Sequence, residues 1–260
     1  MKYTYDALLI QPQDQMAMVF FNRPAAANAL NVGMALEIKH FFSSLSQTSF
    51  RAVILTGQGK HFCAGADLKE RKGVDDATWQ AQHHAFEGAL QAIMQCDIPV
   101  IAAVNGSAFG GGLELAMACD FIYASDSARF AMSEATLGIM PGLGGTQTLP
   151  RAIGMGRAKE LLFSGRVFSA AEAFSFGLAN RQCTDDVLLS KAIASAKTIA
   201  ANAPLSVKAI KKSVNEGAVM PITQALQCEL KHYATLLPTR DRREGIAAFN
   251  EKRKPVFTGE

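Results

Sequence analysis

The chain lacks any apolar run long enough to cross a membrane. Its longest, such as Ile98-Pro-Val-Ile-Ala-Ala-Val104, fall far short of the roughly 20 residues a spanning helix needs. It opens on the polar residues Met1-Lys-Tyr-Thr-Tyr-Asp6. No apolar core follows a basic start and no Arg- and Ser-rich leader is seen, so neither a signal peptide nor a transit segment is expected. The five cysteines (63, 96, 119, 183 and 228) are odd in number and scattered. With no CxxC pair and no Cys/His cluster, they read as reduced buried thiols rather than disulfides or zinc ligands. The five histidines (40, 61, 83, 84 and 232) show no metal spacing either and are taken as solvated or packing residues. A net charge of +3 is too small to argue for nucleic acid or an anionic membrane. Also missing are a GxxxxGK[ST] phosphate loop, a GxSxG nucleophile elbow and a dinucleotide GxGxxG between strand and helix. These absences predict a soluble protein of a reducing compartment, placed in the cytoplasm, with no metal and no redox cofactor.

What remains is an ordinary globular composition, 49% hydrophobic and 19% charged. At 260 residues it suits one large α/β domain, or one with a modest appendage. Ala7–Ile10 and Met16–Phe21 read as strands joined by a polar turn. Met34, Ile38, Phe41, Phe42 and Leu45 recur at helical spacing, so 31–47 is an amphipathic helix. A strand at 52–56, a helix at 78–95, a buried strand at 100–104, a glycine turn, a helix through Cys119 and a strand at 121–124 follow. Strands alternating with helices imply parallel pairing. After about residue 150 the strands thin out. The segments 155–163, 170–177, 187–201, 204–216, 221–236 and 240–252 read as helices, with Pro204, Pro221 and Pro238 at starts or junctions. The expected organisation is a core over 1–199 and a helical region over 200–260.

Two glutamates stand beside glycine-rich turns. Glu114 lies in Gly106-Ser-Ala-Phe-Gly-Gly-Gly-Leu-Glu114, and Glu134 precedes Ala-Thr-Leu-Gly-Ile-Met-Pro-Gly142-Leu-Gly-Gly145. Two carboxyl groups at one pocket divide the work of base and acid. A helix opening near 110–112 points free N–H groups and its positive dipole end outward, which suits an oxygen gaining negative charge. A second donor is expected from Phe62-Cys-Ala-Gly-Ala-Asp-Leu68. Plainer readings are available: Glu114 as a first-turn acid favoured by the dipole, Glu134 as a surface acid, Gly142–Gly145 as a structural turn.

Taken in order, Asn22-Arg-Pro…Asn28-Ala-Leu-Asn31, Phe62-Cys-Ala-Gly-Ala-Asp-Leu-Lys-Glu70, Gly110-Gly-Gly-Leu-Glu114…Cys119-Asp120, Glu134…Gly-Ile-Met-Pro-Gly142 and Arg240-Asp-Arg-Arg-Glu-Gly…Lys254 resemble the enoyl-CoA hydratase/isomerase (crotonase) superfamily over nearly the whole chain. The resemblance implies a crotonase-like spiral of ββα units with a C-terminal helical trimerisation region, trimers commonly pairing into hexamers. It implies an acyl-CoA thioester whose oxygen is held by the N–H groups of Ala66 and Gly111. Ala64, Ala66 and Leu68 would hold the CoA through their backbone. Lys69, with Phe249 and Lys252 of a neighbouring subunit, would lie near its phosphates and adenine. Hydratases of the superfamily keep both acids, matching Glu114 and Glu134, with the Gly142 backbone helping to hold a water. The implied reaction is hydration of a 2-enoyl-CoA.

The rival readings are a Δ3-Δ2-enoyl-CoA isomerase, which needs one acid, and a branched methylglutaconyl-type hydratase, to which 62–71 and Leu149-Pro-Arg-Ala-Ile-Gly154 are also similar. From another class comes an RNA-binding protein using Lys69-Glu-Arg-Lys72, opposed by the interspersed Glu70 and by Asp75-Asp76. That stretch reads instead as a solvated loop. The segment from Arg71 to Gln82, with Trp79, is expected to shape the acyl pocket together with C-terminal helices.

Overall fold

The computed structural model describes residues 4–260. Its strands are β1 (Leu8–Gln13), β2 (Met16–Phe21), β3 (Ala52–Gly57), β4 (His61–Cys63), β5 (Val100–Val104), β6 (Ser107–Phe109), β7 (Phe121–Ser125), β8 (Arg129–Ala131), β9 (Phe168–Ser169) and β10 (Arg181–Cys183). Its helices are α1 (Val32–Ser44), α2 (Asp76–Met94), α3 (Gly111–Ala118), α4 (Gly145–Ile153), α5 (Met155–Ser164), α6 (Ala170–Phe176), α7 (Leu188–Ala200), α8 (Pro204–Gly217), α9 (Ile222–Leu236) and α10 (Arg240–Asn250).

Two sheets organise the core. The larger runs β1-β2-β3-β5-β7-β10 and is parallel except for the β1/β2 hairpin; the smaller runs β4-β6-β8-β9, antiparallel only at β8/β9. Each unit sends one strand to the large sheet and the next to the small one before a helix returns. The sequence β3-β4-α2 is followed by β5-β6-α3 and then by β7-β8, the ββα spiral expected above.

Alternation along the strands explains why the large sheet is covered on both faces. Val53 and Leu55 of β3, with Val100, Ala102 and Val104 of β5, enter the main core beside Ile38, Phe41 and Phe86. Their neighbours Ala52, Ile54, Ile101 and Ala103 face Leu188, Ala192 and Ala196 of α7 on the other side. Helix α1 is capped by Asn31, which accepts from the Met34 N–H at 2.9 Å, and α2 by Asp75, which accepts from Thr78 at 2.8 Å. The helices anticipated after residue 150 are all present. Two features differ from the sequence reading. Strands β9 and β10 continue the sheets in short stretches between helices where the sequence reading marked no strand, and α4 forms despite Gly145 at its first position and Pro150 inside it. Among the described residues, no helix is long and apolar enough to cross a membrane.

Candidate active site

The loop between β4 and α2 is positioned from a distance. Buried Asn28, held at φ +54, donates from Nδ2 to the Gln58 and His61 carbonyls at 2.9 and 2.7 Å. Its Oδ1 accepts from the Arg23 N–H at 2.8 Å, and Arg23 pairs with Asp67 at 2.9 Å while also donating to the Ala29 carbonyl. Leu30 bridges Ala66 in parallel, donating to the Gly65 carbonyl and accepting from the Asp67 N–H at 2.8 and 2.9 Å. Both bonds use the neighbours of Ala66, which leaves the Ala66 N–H turned away from the bridge. The Asn22–Asn31 motif therefore acts as a clamp on this loop.

Helix α3 supplies the second donor. Gly111 is its first residue, so its N–H has no acceptor within the helix. The helix start presses so closely on β4 that a Cβ on Gly112 would stand 2.1 Å from the Cys63 carbonyl oxygen, and only glycine fits. A Cβ on Gly111 would lie 3.9 Å from the Ala66 nitrogen and 4.0 Å from Glu114 Oε2. The two N–H donors and one carboxyl thus meet around a single small space.

Glu114 follows on the first turn of α3 and is buried at 2% exposure. Its Oε1 accepts from the Leu143 and Gly145 N–H groups at 2.8 and 2.7 Å. Gly145 opens α4, so this carboxyl also sits at the positive end of a second helix. Burial lifts its pKa from 4.5 to about 7, the two N–H bonds oppose the rise, and the charge of Glu134 adds to it. Glu134 is buried too, at the head of a 3-10 turn (Glu134–Leu137). Its pKa is also raised by burial, and its Oε2 is sealed from solvent with no hydrogen-bond partner. Gly110 makes room for it. At φ +48, a Cβ there would come within 2.8 Å of Glu134 Oε1.

Ala66, Gly111, Glu114, Glu134, Gly142 and Leu143 all line one cavity of about 650 Å³. Two buried acids and two free N–H donors at one cavity can polarise a carbonyl and move protons beside it.

The chain matches the family described as Enoyl-CoA hydratase/isomerase over residues 11–260. It belongs to that family. YngF of Bacillus subtilis (strain 168), provisionally named an enoyl-CoA hydratase/isomerase, is 44% identical over 260 residues, covering 98% of this chain and 99% of its own. The crotonyl-CoA hydratase of Syntrophomonas wolfei is 38% identical over 255 residues, covering 97% and 98%. The crystal structure of enoyl-CoA hydratase from Bacillus anthracis superposes with a TM-score of 0.96 at 40% identity, covering 98% of this chain and all of that one. The family assignment and the crotonase fold read from the sequence motifs are both borne out.

The other residues singled out in the sequence lie elsewhere. Ala64 donates its N–H to the Ala27 carbonyl at 3.1 Å. Leu68 and Lys69 are exposed on the same loop, while Phe249 projects from α10 at 83% exposure and Lys252 follows it at φ +55. None of these lines the cavity. Sequence reasoning missed His83 and His84, which do. His83 was grouped with solvated or packing histidines, yet a Cβ on Gly142 would meet its Cε1 at 2.5 Å. Arg71, read both as part of a solvated basic stretch and as the head of the 71–82 segment expected to shape the acyl pocket, is buried at 8% exposure and lines the cavity, in line with the second reading. Trp79 and Gln80 do line the cavity, from the first turns of α2, whereas no residue beyond Leu143 does so. The C-terminal helices expected to shape the acyl pocket lie outside its lining. The fold also brings Glu216, Cys228 and His232 together, with one donor atom of each within 4.8 Å of the others. Their bonds run among themselves: His232 Nε2 lies 3.0 Å and Cys228 Sγ 3.2 Å from Glu216 Oε2.

Proposed function

We propose that the protein is an enoyl-CoA hydratase, adding water in syn fashion to a trans-2-enoyl-CoA to give a 3-hydroxyacyl-CoA, a step of the β-oxidation type. The observation that carries this reading is the meeting of two buried carboxyls of raised pKa with two outward N–H groups at one cavity. The thioester oxygen accepts from Ala66 and Gly111, which draws electron density from the double bond and makes C3 electrophilic. A water lies between the carboxyls near the Gly142 backbone. Glu114, whose ionised form is favoured by two N–H bonds, takes the water proton as oxygen attacks C3. Glu134, with no donor aimed at its Oε2, carries the proton delivered to C2. Mutual repulsion keeps both from ionising together, so the pair titrates in coupled steps. An isomerase would use only one of these acids.

We place CoA along the Ala64–Leu68 backbone with Lys69 at its phosphates, and Phe249 and Lys252 reaching it from a neighbouring subunit. Exposed Ile210, Val214, Ile222, Leu226 and Leu230 on α8 and α9 support burial of the 200–260 region in a homotrimer, or a hexamer of paired trimers. We expect the reaction to need neither metal nor redox cofactor, and we place it in the cytoplasm; five free thiols fit a reducing setting.

The test is loss of the conjugated-thioester absorbance of crotonyl-CoA with the wild-type protein, Glu114→Gln and Glu134→Gln. Turnover that falls by about 100-fold or more in each variant is expected. Full activity in either variant overturns the two-acid reading.

A further inference from the structure

We propose that Arg71 receives a carboxylate at the far end of the acyl chain, so that the substrate is an enoyl-CoA bearing a second, distal acid group. The inference rests on the hydratase reading for its chemistry, and on an independent observation for its specificity. Arg71 lines the same cavity as Glu114 and Glu134. It is more than nine-tenths buried, and its Nε and Nη2 are sealed from solvent with no hydrogen-bond partner. Few arrangements are less comfortable, because a guanidinium is always charged and offers five donors.

Its surroundings hold the cation without satisfying those donors. The Trp79 and Phe86 rings lie 4.0 and 4.9 Å from its central carbon. Aromatic faces attract a cation but do not replace an oxygen acceptor. Of the neighbouring carboxylates, Glu70 accepts from the Val32 N–H at 3.1 Å, Glu87 lies 3.6 and 3.4 Å from His83 and His84, and Glu134, on the same cavity, leaves its Oε2 without a partner rather than pairing with the arginine. Glu114 is taken up by Leu143 and Gly145. Among the described residues no side chain forms an ion pair with Arg71. Burying an unpaired cation is costly, and a planar two-oxygen anion matches the guanidinium fork.

A plain fatty acyl chain would press methylenes against these donors and leave them unmet. A distal carboxylate would pair with them and so select its substrate, because a site built for a polar group rejects an analogue lacking it. The phosphates of CoA carry the same anionic chemistry, but they belong to every acyl-CoA alike, which separates the two sources experimentally.

Glutaconyl-CoA differs from crotonyl-CoA by one carboxylate on the terminal carbon, and glutaryl-CoA differs from butyryl-CoA in the same way. Hydration of the first pair is measured by kcat/KM, and binding of the saturated pair by calorimetry, for the wild type, Arg71→Met and Arg71→Lys. The expected result is a wild-type preference of about 100-fold for the carboxylated member of each pair. Arg71→Met should collapse that ratio toward one, with Arg71→Lys in between. Equal wild-type binding of glutaryl-CoA and butyryl-CoA would overturn the proposal, and so would a ratio that Arg71→Met leaves intact. A uniform loss across all acyl-CoAs in Arg71→Met, with no wild-type preference, assigns the arginine to CoA phosphate and also overturns it. Failure to hydrate either substrate would defeat the hydratase reading alone, since the glutaryl-CoA preference reports on Arg71 without turnover.

Discussion

Replacing Glu114 by glutamine should stabilise the protein while disabling it, and the stabilisation should grow with pH. In the native structure burial holds this carboxyl near pKa 7 rather than 4.5. Between those values the folded chain retains a proton that the unfolded chain releases, so native stability falls as pH rises through the window. Below about pH 4.5 both states are protonated and the penalty vanishes; above about 7 it is complete. At about 1.4 kcal/mol per tenfold in proton affinity, it amounts to about 3 kcal/mol. Glutamine keeps an oxygen for the Leu143 and Gly145 N–H groups and carries no charge to desolvate. The melting temperatures of Glu114→Gln and wild type should therefore nearly coincide at pH 5. At pH 8.5 the variant should melt higher by on the order of 5–10 °C. Differential scanning calorimetry across that range decides the matter. A difference that stays flat with pH, or a variant less stable than wild type at pH 8.5, refutes the argument.

Other outcomes follow from the same geometry. Gly110→Ala forces a side chain to φ +48 and to within 2.8 Å of Glu134 Oε1; kcat/KM for crotonyl-CoA should drop by roughly 10- to 100-fold, and a change under twofold would show that Glu134 tolerates displacement. The pH dependence of kcat/KM should rise through about 7 as Glu114 ionises, and that rising limb should be missing from any residual activity of Glu114→Gln. Asp241, buried on α10, accepts from the Thr258 and Gly259 N–H groups at 2.8 and 2.9 Å. Asp241→Ala should cost about 1–3 kcal/mol and expose the last residues to carboxypeptidase, which mass spectrometry would register.

The elements readable in advance were those with long, one-sided periodicity. Helix α1 follows from its apolar spacing and Asn31 cap, and β5 from five consecutive apolar residues. The short strands β6, β8 and β9 carry two or three residues each, too few for any period to show, and they exist because the neighbouring strand offers a ladder. Helix α4 runs against local propensity at Gly145 and Pro150; its first N–H is used by Glu114, a bond no local pattern can announce. The two glutamates were visible through their glycine contexts. The glycine-rich turns brought the two N–H donors to 110–112 and 62–68, and resemblance to the family narrowed them to Gly111 and Ala66, since a backbone group has no side-chain signature. Arg71 was expected at the acyl pocket only as one end of the 71–82 segment, because the run Lys69-Glu-Arg-Lys72 looks uniformly solvated. The aromatic contacts that bury it come from Trp79 and Phe86 on the next helix.

The donors that face the cavity from Ala66 and Gly111 are main-chain atoms. Short of proline, no amino-acid replacement at those two positions can delete them. The part of the site that would hold a thioester is therefore shielded from most single-nucleotide change, while Arg71, Trp79 and His83 are free to vary with every mutation of their codons. Such a division lets a lineage exchange one acyl group for another while keeping its electrophile-binding frame, and a directed-evolution library aimed at new acyl chains should be confined to those side chains.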